Sequence, residues 1–531
     1  SFILAESLDK MRDLSGKELG IMTAITGLYG LVNAFSDKLF VPSIYGAFGL
    51  LAATLIMLFL LNSDKITFSK KQFRGIVLGM TALVIFLNAK WFITSGDDSY
   101  THLDTYVSAG DSKKKISGTA LKHLDEVPGA DTDEFYRSTN LVTTGNLRSS
   151  SLLYGYNDVS TFSSTLNGGI VNYNNAMGNC RWNIVSIYDY NFRTYLNTLA
   201  SVKYMGVAKK NTATIPYGYK KVQETKNKYY SIYENQYSLP LGYTYDKIVN
   251  ADRIDQYSAA EKQETTMLAA IVEDKDMDKN SNLTVATKLP LTAQKLKIKN
   301  IKLNGVSMTK DTIEIEKPGA TMKFSFEAPA NAETYLSLVG DIYAEKDAKE
   351  HFITARIKAP GVKYGHKFRI DAYTTGQKEY LFNLGYREGA VKTCTLKFVG
   401  TGTLKYKDLA IYSQTMSNYA DRVNALKENS LKNAKAEKNT VTGNITVDKD
   451  KMLVVTLPYQ KGWTAYVDGK KTDIQRVNYQ YIGINLKKGT HDIKLHYQLP
   501  GIKLAFMITG CGIIAFVAII IFNIVRKRRK N

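Results

Sequence analysis

The feature that most constrains the fold is the uneven distribution of apolar residues along the 531-residue chain. Long apolar runs lie within the first hundred residues and the last thirty, whereas the middle is polar. A bilayer core about 30 Å thick needs roughly 20 apolar residues in a helix. Four segments are therefore candidate membrane spans: residues 19–35, 43–61, 75–94 and 502–525. For each of them a buried helix of a soluble protein is the alternative interpretation, and it fits the last segment least.

Positive charges beside these segments predict their orientation, because Lys and Arg prefer the cytoplasmic side of a span. Five consecutive basic residues, Arg526 to Lys530, follow the last segment and predict a cytoplasmic C-terminus. With four spans, residues 95–501 then lie outside the cytoplasm, while the Lys-containing loop 62–72 lies inside. A nucleic-acid-binding tail is the rival interpretation of the five charges. Because they directly follow a candidate span, we expect no nucleic-acid partner.

Composition limits what the outer region can be. The hydrophobic content of 44% excludes a wholly disordered chain. Three cysteines, Cys180, Cys394 and Cys511, are too few for a disulfide scaffold, although pairing of Cys180 with Cys394 stays open. The formal net charge of +21 suits contact with polyanions or lipid headgroups, and it fits a merely Lys-rich composition equally well.

Alternation and turn residues predict three outer domains. Residues 95–250 mix helical and strand patterns, and residues 251–435 carry short alternating strands typical of a β-sandwich, followed by a linker helix. Residues 436–501 predict a small β-domain with a hairpin turn at Asp468-Gly469. The predicted fold class is membrane α-helical spans plus a large extracytoplasmic α+β and β-sandwich region. The remaining parts are three spans within residues 1–94, a C-terminal span at 502–525 and a basic cytoplasmic tail at 526–531.

Short motifs follow one another in a fixed order from about Phe135 to the C-terminus. They are Phe135-Tyr136-Arg137, Phe162-Ser163-Ser164, Val202-Lys203-Tyr204, Leu239-Pro240-Leu241-Gly242-Tyr243, the run from Pro458 to Lys470 (PYQKGWTAYVDGK), Asn478, Tyr481-Ile482-Gly483, Gly489-Thr490-His491 and Tyr497-Gln498-Leu499-Pro500-Gly501. Each motif alone is weak. In this order they resemble the YfhO-like bacterial membrane protein family.

The resemblance implies a polytopic envelope protein with a glycosyltransferase-C-like membrane domain. Such proteins are expected to take a sugar from a polyprenyl-phosphate carrier and add it to an extracytoplasmic acceptor, which in the best-studied relatives is lipoteichoic acid. Family members usually have further spans before the point where this sequence begins, and their catalytic acidic residue lies in the first outer loop of that part. The resemblance therefore implies that this chain is a C-terminal portion. It implies membrane lipid, a polyprenyl-phosphate sugar donor and an anionic envelope polymer as partners.

Asp97 and Asp98 are the candidate catalytic residues, because they directly follow the third candidate span, where a lipid-linked donor would present its phosphate. His102 and Asp104 come shortly after them. Paired carboxylates hold a divalent cation or serve as a general base, and a divalent cation is the one cofactor that the sequence suggests. The same residues also suit a solvated helix end that keeps charge out of the lipid. No other metal site is predicted.

Arg137, Arg181 and Trp182 are the candidate substrate-binding residues. A guanidinium such as that of Arg137 binds phosphate through two parallel hydrogen bonds, and it forms structural ion pairs in the same way. Arg181 and Trp182, beside the Tyr-rich stretch 140–179, would clamp a sugar ring, and core packing of Trp182 is the alternative. We expect Trp463 and Tyr466 to maintain the fold, because both flank the predicted hairpin.

Two further functions remain open at this stage. One is a non-enzymatic membrane-anchored protein that binds an envelope polymer, and the other is a lipid or polymer exporter. Polar residues within spans are the mark of an exporter, and Asn33, Asn88 and Lys90 are few. The sequence contains no P-loop, GxGxxG, HExxH or GxSxG motif, so nucleotide-dependent chemistry and serine hydrolysis have no support.

Overall fold

The computed structural model describes residues 14–34, 49, 52–60, 69–94, 121, 124, 127, 129–130, 134–141, 151–208, 215–224, 230–340, 352–369, 376–390 and 392–529. The chain forms two compact units, Ser1–Lys115 and Ile116–Asn531. The helices, apart from the helical residues 52–60, are α1 (Gly16–Ala34), α2 (Lys70–Thr94), α3 (Ser151–Tyr154), α4 (Gly168–Ala176), α5 (Thr194–Leu199), α6 (Ala259–Thr265), α7 (Tyr419–Glu428) and α8 (Ile502–Arg528). Short 3₁₀ turns lie at Asp252–Ile254, Asp274–Asp276 and Asp278–Asn280.

Strands are the main regular structure of the second unit. Its first part contains β1 (Arg137–Leu141), β2 (Thr161–Phe162), β3 (Trp182–Asn183), β4 (Ser186–Ile187), β5 (Val202–Ala208), β6 (Tyr219–Glu224), β7 (Tyr230–Asn235), β8 (Gly242–Tyr245), β9 (Lys247–Asn250), β10 (Ala270–Val272) and β11 (Thr284–Val285). The middle part contains β12 (Gln294–Leu296), β13 (Lys299–Asn304), β14 (Val306–Met308), β15 (Thr312–Ile315), β16 (Thr321–Ser325), β17 (Ala332–Val339), β18 (Phe352–Ala359), β19 (Val362–Arg369), β20 (Glu379–Arg387), β21 (Thr393–Val399), β22 (Gly402–Lys405) and β23 (Asp408–Thr415). The last part contains β24 (Lys432–Glu437), β25 (Thr440–Val447), β26 (Lys451–Pro458), β27 (Trp463–Val467), β28 (Lys470–Thr472), β29 (Gln475–Val477), β30 (Tyr481–Leu486) and β31 (Gly489–Tyr497).

The described part of the first unit is mainly helical, and α1 and α2 begin at capping boxes. The Ser15 hydroxyl accepts from the Glu18 backbone N–H at 3.3 Å, and the Glu18 carboxylate accepts from the Ser15 N–H at 2.8 Å. Ser69 and Gln72 form the same arrangement at the start of α2. Buried apolar side chains from α1, residues 52–60 and α2 pack together, namely Leu19, Leu55, Leu58 and Phe73.

A mixed seven-stranded sheet, here called the central sheet, lies in the middle of the second unit, with strand order β11-β9-β10-β29-β30-β26-β8. Side chains alternate between the two faces of a strand, and in β26 both faces are buried. Met452 and Val454 pack into the core on one side of the sheet. Leu453 and Val455 pack into the core on the other side. The central sheet therefore joins two hydrophobic cores.

Each face of the central sheet is covered by a different layer. Helices α4, α5 and α7 cover one face together with a group of buried tyrosines, among which Tyr173 contacts Tyr481 with 5.7 Å between ring centroids. The other face packs on a five-stranded antiparallel sheet, here called the C-terminal sheet, with order β24-β25-β31-β27-β28. Because one face of the C-terminal sheet supplies Ile445, Ala465 and Leu495 to the shared core, its opposite face points outward.

A β-sandwich forms the middle of the second unit. Its back sheet has the order β12-β23-β17-β20, its front sheet has the order β13-β16-β21-β18-β19, and a small third sheet contains β14, β15 and β22. Their inward side chains, such as Phe324, Ile357 and Phe382, form one apolar core. Two smaller sheets, β1-β5-β7-β6 and β2-β4-β3, complete the unit.

The structure confirms the β-rich region, and its location outside the cytoplasm stays a prediction. The predicted boundaries at residues 250 and 435 divide the strands of the central sheet among three regions of sequence. Strands β8 and β9 lie at or before residue 250, and β10 and β11 lie between the two boundaries. Strands β26, β29 and β30 lie after residue 435. Sequence pattern alone does not show which distant strands pair. Cys180 and Cys394 are buried free thiols, so the open disulfide pairing is absent.

One helix within the described residues is long and apolar enough to cross a membrane, over Ile502–Arg526, and no part of its apolar window is buried. Helices α1 and α2 overlap the predicted spans 19–35 and 75–94, and residues 52–60 of the predicted span 43–61 are helical. A multi-pass arrangement with four spans remains a prediction.

A fragment of residues 436–501 should not fold by itself. It would keep β26, β29 and β30 but lose β8, β9 and β10, so the buried side chains of Val454, Val477 and Tyr481 would face water. We expect a poorly dispersed amide NMR spectrum for this fragment and a well-dispersed one for residues 116–501. Native-like dispersion in the short fragment would contradict the shared central sheet.

Candidate functional site

The predicted catalytic residues Asp97 and Asp98 lie outside the described residues, as do His102 and Asp104. Their proposed contact with a divalent cation remains a prediction. Within the part of the chain that the structure describes, His, Cys, Asp and Glu form no cluster of three or more that suits a metal ion.

Arg137 lies at the start of β1 and binds other parts of the protein. Its guanidinium donates to the Ala200 carbonyl at 3.0 Å, to the Thr456 hydroxyl at 3.0 Å and to the Thr456 carbonyl at 2.7 Å. It also lies 5.0 Å from the centroid of the Phe135 ring. Burial holds the pKa of Arg137 below its ordinary value, and nearby tyrosines oppose this shift. These contacts tie β1 to β26, and their acceptors are backbone and hydroxyl oxygens rather than a carboxylate.

Arg181 and Trp182 have partners in other places. Arg181 Nε forms an ion pair with the buried carboxylate of Asp189 at 3.0 Å, and burial nevertheless raises the pKa of Asp189. The indole of Trp182 is buried, and its Nε1 donates to Gln377 Oε1 at 2.9 Å. The core packing considered for Trp182 is what the structure shows. Binding of a ligand by Arg137, Arg181 or Trp182 stays an untested prediction.

The Tyr-rich stretch 140–179 is largely buried over residues 168–179, where α4 buries Tyr173 and Asn174. The segment that follows is held by buried polar contacts. Asn383 Nδ2 donates to the backbone oxygens of Asn191 and Phe192 and to the Glu333 carboxylate. Burial raises the pKa of Glu333 to about 7. These contacts hold the segment containing Asn191 and Phe192 against the back sheet of the sandwich.

An open groove of about 600 Å³ lies on the outward face of the C-terminal sheet. Its walls combine amide, hydroxyl, carboxylate, ammonium and aromatic groups. The lining residues are Asn433, Thr442, Gly443, Asn444, Tyr466, Gly469, Asp492, Ile493 and Lys494. Since most of the lining side chains come from neighbouring paired strands, their spacing is fixed by the sheet.

Strand register arranges the groove in cross-strand rows. Thr442 lies opposite Lys494, and Lys494 lies opposite Tyr466 on the next strand. Lys471 continues this row beyond Tyr466, while Asn444 faces Asp492 in the neighbouring row. An aromatic ring beside hydrogen-bonding groups can stack on the apolar face of a sugar and bind its hydroxyl groups, and the lysines add affinity for phosphate.

His491 forms two hydrogen bonds beside the groove. His491 Nδ1 lies 2.7 Å from Asp468 Oδ2, and its Nε2 lies 2.8 Å from the Lys487 carbonyl oxygen. Because both partners are acceptors, both ring nitrogens must donate, which requires the protonated imidazolium. Burial lowers the pKa of His491, but these hydrogen bonds outweigh burial and raise it overall. The Asp468 carboxylate also accepts from the Asp492 backbone N–H at 2.9 Å, next to the groove wall.

The groove residues were not predicted from the sequence as a binding site. Trp463 packs against the core and lies 5.2 Å from the Tyr497 ring, as expected for a residue that maintains the fold, whereas Tyr466 lines the groove. The alternation of Asp492 and Lys494 with the buried Ile493 and Leu495 was the available signal, because it separates an inward from an outward face.

Two of the residues that line the groove, Tyr466 and Gly469, belong to the motif run 458–470, and the others come from β24, β25 and β31. The family model described as "Bacterial membrane protein YfhO" matches residues 1–509. The chain belongs to this family. It is therefore a membrane protein of the YfhO family, and its described residues include one candidate membrane helix, at the C-terminal end.

A YfhO-family relative, "Uncharacterized protein YfhO" of Bacillus subtilis (strain 168), is 26% identical over 554 residues, which is 99% of this chain and 58% of the relative. The chain thus spans somewhat more than half of the relative's length. Among solved structures, arabinofuranosyltransferase AftD from Mycobacteria is similar over 84% of this chain and 52% of its own, with 8% identity and a TM-score of 0.22. The C-terminal CBM6 of LamC from Zobellia galactanivorans matches 23% of this chain and 99% of its own, with 8% identity and a TM-score of 0.16. TM-scores this low support no inference about fold or function.

Replacing Arg137 with Met should lower the free energy of unfolding by about 2 kcal/mol, because the oxygens of Ala200 and Thr456 lose their donor. Urea unfolding followed by tryptophan fluorescence measures this change. Arg253→Met, at an exposed position, is the control and should change stability by less than about 0.5 kcal/mol. Unchanged stability of the Arg137 variant would instead favour a role in ligand binding.

The His491 contacts should loosen as the pH rises. Because the folded-state pKa of His491 is raised, its stabilising effect is complete below the unfolded value near 6.5 and is lost as pH passes the folded value. We expect faster amide exchange around residues 468–469 above that pH, after correction for intrinsic exchange. In His491→Gln this extra pH dependence should disappear, and its persistence would exclude His491 as the cause.

Proposed function

We propose that this chain is the C-terminal part of a glycosyltransferase-C-like integral membrane enzyme that transfers a sugar from a polyprenyl-phosphate carrier to an extracytoplasmic envelope polymer such as lipoteichoic acid. The observation that carries this proposal is the groove, where Tyr466, Asn444, Asp492 and Lys494 combine a ring, an amide, a carboxylate and an ammonium group. Such a set suits a chain that contains both sugar or polyol units and phosphates. The groove would hold the polymer acceptor.

The distance from the groove to the membrane supports this assignment. Strand β31 ends at Tyr497 and α8 begins at Ile502, so extended backbone between them spans at most about 18 Å. The apolar part of α8 has 25 residues, or about 37 Å of helix, which exceeds a hydrocarbon core of about 30 Å. An acceptor in the groove would therefore stay close to the bilayer surface, where a polyprenyl-linked sugar must lie.

The basic residues after α8 support placing the groove outside the cytoplasm. Arg526, Arg528 and Arg529 lie at the end of this helix, and such charges favour the cytoplasmic side. The C-terminal sheet at the other end of the helix would then face the extracytoplasmic space. In this proposal Asp97 and Asp98 lie near the donor phosphate, and the catalytic acidic residue belongs to the part of the protein that precedes Ser1.

A membrane-anchored protein that binds an envelope polymer without catalysis is the second candidate. It is favoured by the groove lining, in which Asp492 is the single carboxylate and the other groups are donors and acceptors suited to binding. The two candidates differ in one outcome. If the protein is the enzyme, sugar transfer requires the groove. If it only binds the polymer, removal of the protein leaves polymer glycosylation unchanged.

In a strain lacking the complete protein, complementation with wild type should restore glycosylation of the envelope polymer, measured by sugar analysis of purified polymer. Tyr466→Ala and Asp492→Asn should reduce the restored glycosylation, by roughly tenfold for Tyr466→Ala if ring stacking contributes about 1.5 kcal/mol. Both changes are on an outward face, so expression should be normal.

Thr446→Ala is the matched control, because Thr446 is exposed on the same sheet and pairs with Thr490 at 3.0 Å beyond the groove lining. It should restore glycosylation fully. If the deletion strain has normal polymer glycosylation, the enzyme proposal fails. If the groove variants complement as well as wild type does, the groove is not the acceptor site.

A further inference from the structure

The outward face of the front sheet carries cations directly opposite one another on neighbouring strands. Lys302 of β13 faces Lys323 of β16. Arg356 of β18 faces Lys397 of β21, and Lys358 of β18 faces Lys363 of β19. All six side chains are exposed. We call these six residues the cationic face.

This arrangement is electrostatically unfavourable for the isolated protein. Directly opposite residues in an antiparallel pair have Cβ atoms about 5 Å apart, and like charges there destabilise the sheet. Within the described residues, none of the six cations forms an ion pair. An ion pair lies at the edge of this sheet, where Lys299 contacts Glu327 at 3.1 Å. Three like-charge pairs therefore lack a compensating described carboxylate.

Packing does not explain the cations. The other face of the same strands supplies Met322, Ile357 and Leu396 to the sandwich core, while Lys323, Arg356 and Lys397 point away from it. Thr or Gln at these positions would fit the strands without charge repulsion, as Thr395 does between Lys323 and Lys358. A bound polyanion would neutralise the opposed cations, and the relief of their repulsion would favour binding.

We propose that the cationic face binds a linear polymer whose units are joined by phosphodiesters. Four strand spacings make the face about 19 Å wide, which is enough for several successive phosphates. Five of the six cations are lysines, which are compact charges on flexible stems and tolerate varied phosphate positions. The six residues include no aromatic ring, so this face recognises phosphate, in contrast to the groove with its Tyr466 ring.

A polymer fits this face better than a lipid surface does. Thr395 lies between Lys323 and Lys358, Thr321 lies opposite Lys397, and both hydroxyl groups can donate to phosphate oxygens. The apolar side chains of this face lie at its margin, where the Lys367 ammonium covers Phe352 at 4.0 Å from its ring centroid and the exposed Val399 lies opposite Thr354. The centre of the face therefore presents no apolar side chain for insertion among lipid chains.

The choice of polymer rests on the proposed function, since an anionic envelope polymer is its acceptor. The cationic face and the groove lie on different sheets, so a long chain held at the first would have a second, phosphate-dependent attachment besides the groove. Binding to the cationic face requires neither a sugar donor nor catalysis. The two proposals can therefore fail separately.

The test uses the purified chain in nanodiscs of neutral lipid and deacylated poly(glycerol phosphate) lipoteichoic acid as the probe. The variant is the triple change Lys323→Gln, Arg356→Gln and Lys358→Gln, which leaves no like-charge pair intact. We expect binding roughly a hundredfold weaker, with a shallower dependence on salt, because three of the six cations are removed. Because the repulsion is relieved, the variant should unfold at the same or a higher temperature than wild type.

The matched control is the triple change Lys288→Gln, Lys310→Gln and Lys407→Gln, which removes the same charge from exposed positions outside the cationic face. It should bind as wild type does. Equal losses in both variants, or no binding of the wild type, would overturn the proposal. Binding of phosphatidylglycerol vesicles without binding of the deacylated polymer would overturn it in favour of a lipid surface. Normal polymer glycosylation in the deletion strain, together with polymer binding by the purified chain, would count against the proposed function alone.

Discussion

The central sheet is the constraint on which the rest of the second unit depends. A strand buried on both faces needs apolar residues at successive positions, and β26 supplies them with Met452, Leu453, Val454 and Val455. Met452 and Val454 belong to the core beneath the helices, and Leu453 and Val455 belong to the core shared with the C-terminal sheet. Since strands on both sides of the sandwich in sequence contribute to this sheet, the sandwich is an insertion between its parts, and the regions on either side fold together.

The same constraint explains why polar residues that looked functional lie inside the protein. Where separate layers meet, backbone oxygens without a partner in a sheet need donors, because an unpaired buried polar group is costly. Arg137 meets this need at Thr456. Fully buried Arg193 meets it at the Met177 carbonyl, 2.6 Å from its Nη1. Arginines beside aromatic residues are equally typical of a ligand site, so their sequence context does not distinguish the two uses.

Sheets that bury one face leave the other free to carry function. The C-terminal sheet uses its free face for the groove, and the front sheet uses its free face for the six cations. The two surfaces differ in chemistry: a ring with mixed hydrogen-bonding groups suits sugar or polyol units, and a dense set of ammonium groups suits phosphates. Together they are consistent with an extracytoplasmic region that handles an anionic envelope polymer beside a membrane.

The sequence by itself determined the local features, because hydrophobic period and capping or turn residues act over a few positions. It predicted the short strands of the middle region, the hairpin at Asp468-Gly469 and the apolar C-terminal helix. Only the tertiary structure decided that β8 pairs with β26, that Arg137 reaches Thr456, and that Lys302 faces Lys323. Those relations join residues that sequence pattern treats as independent, since long-range register depends on which layers pack against each other.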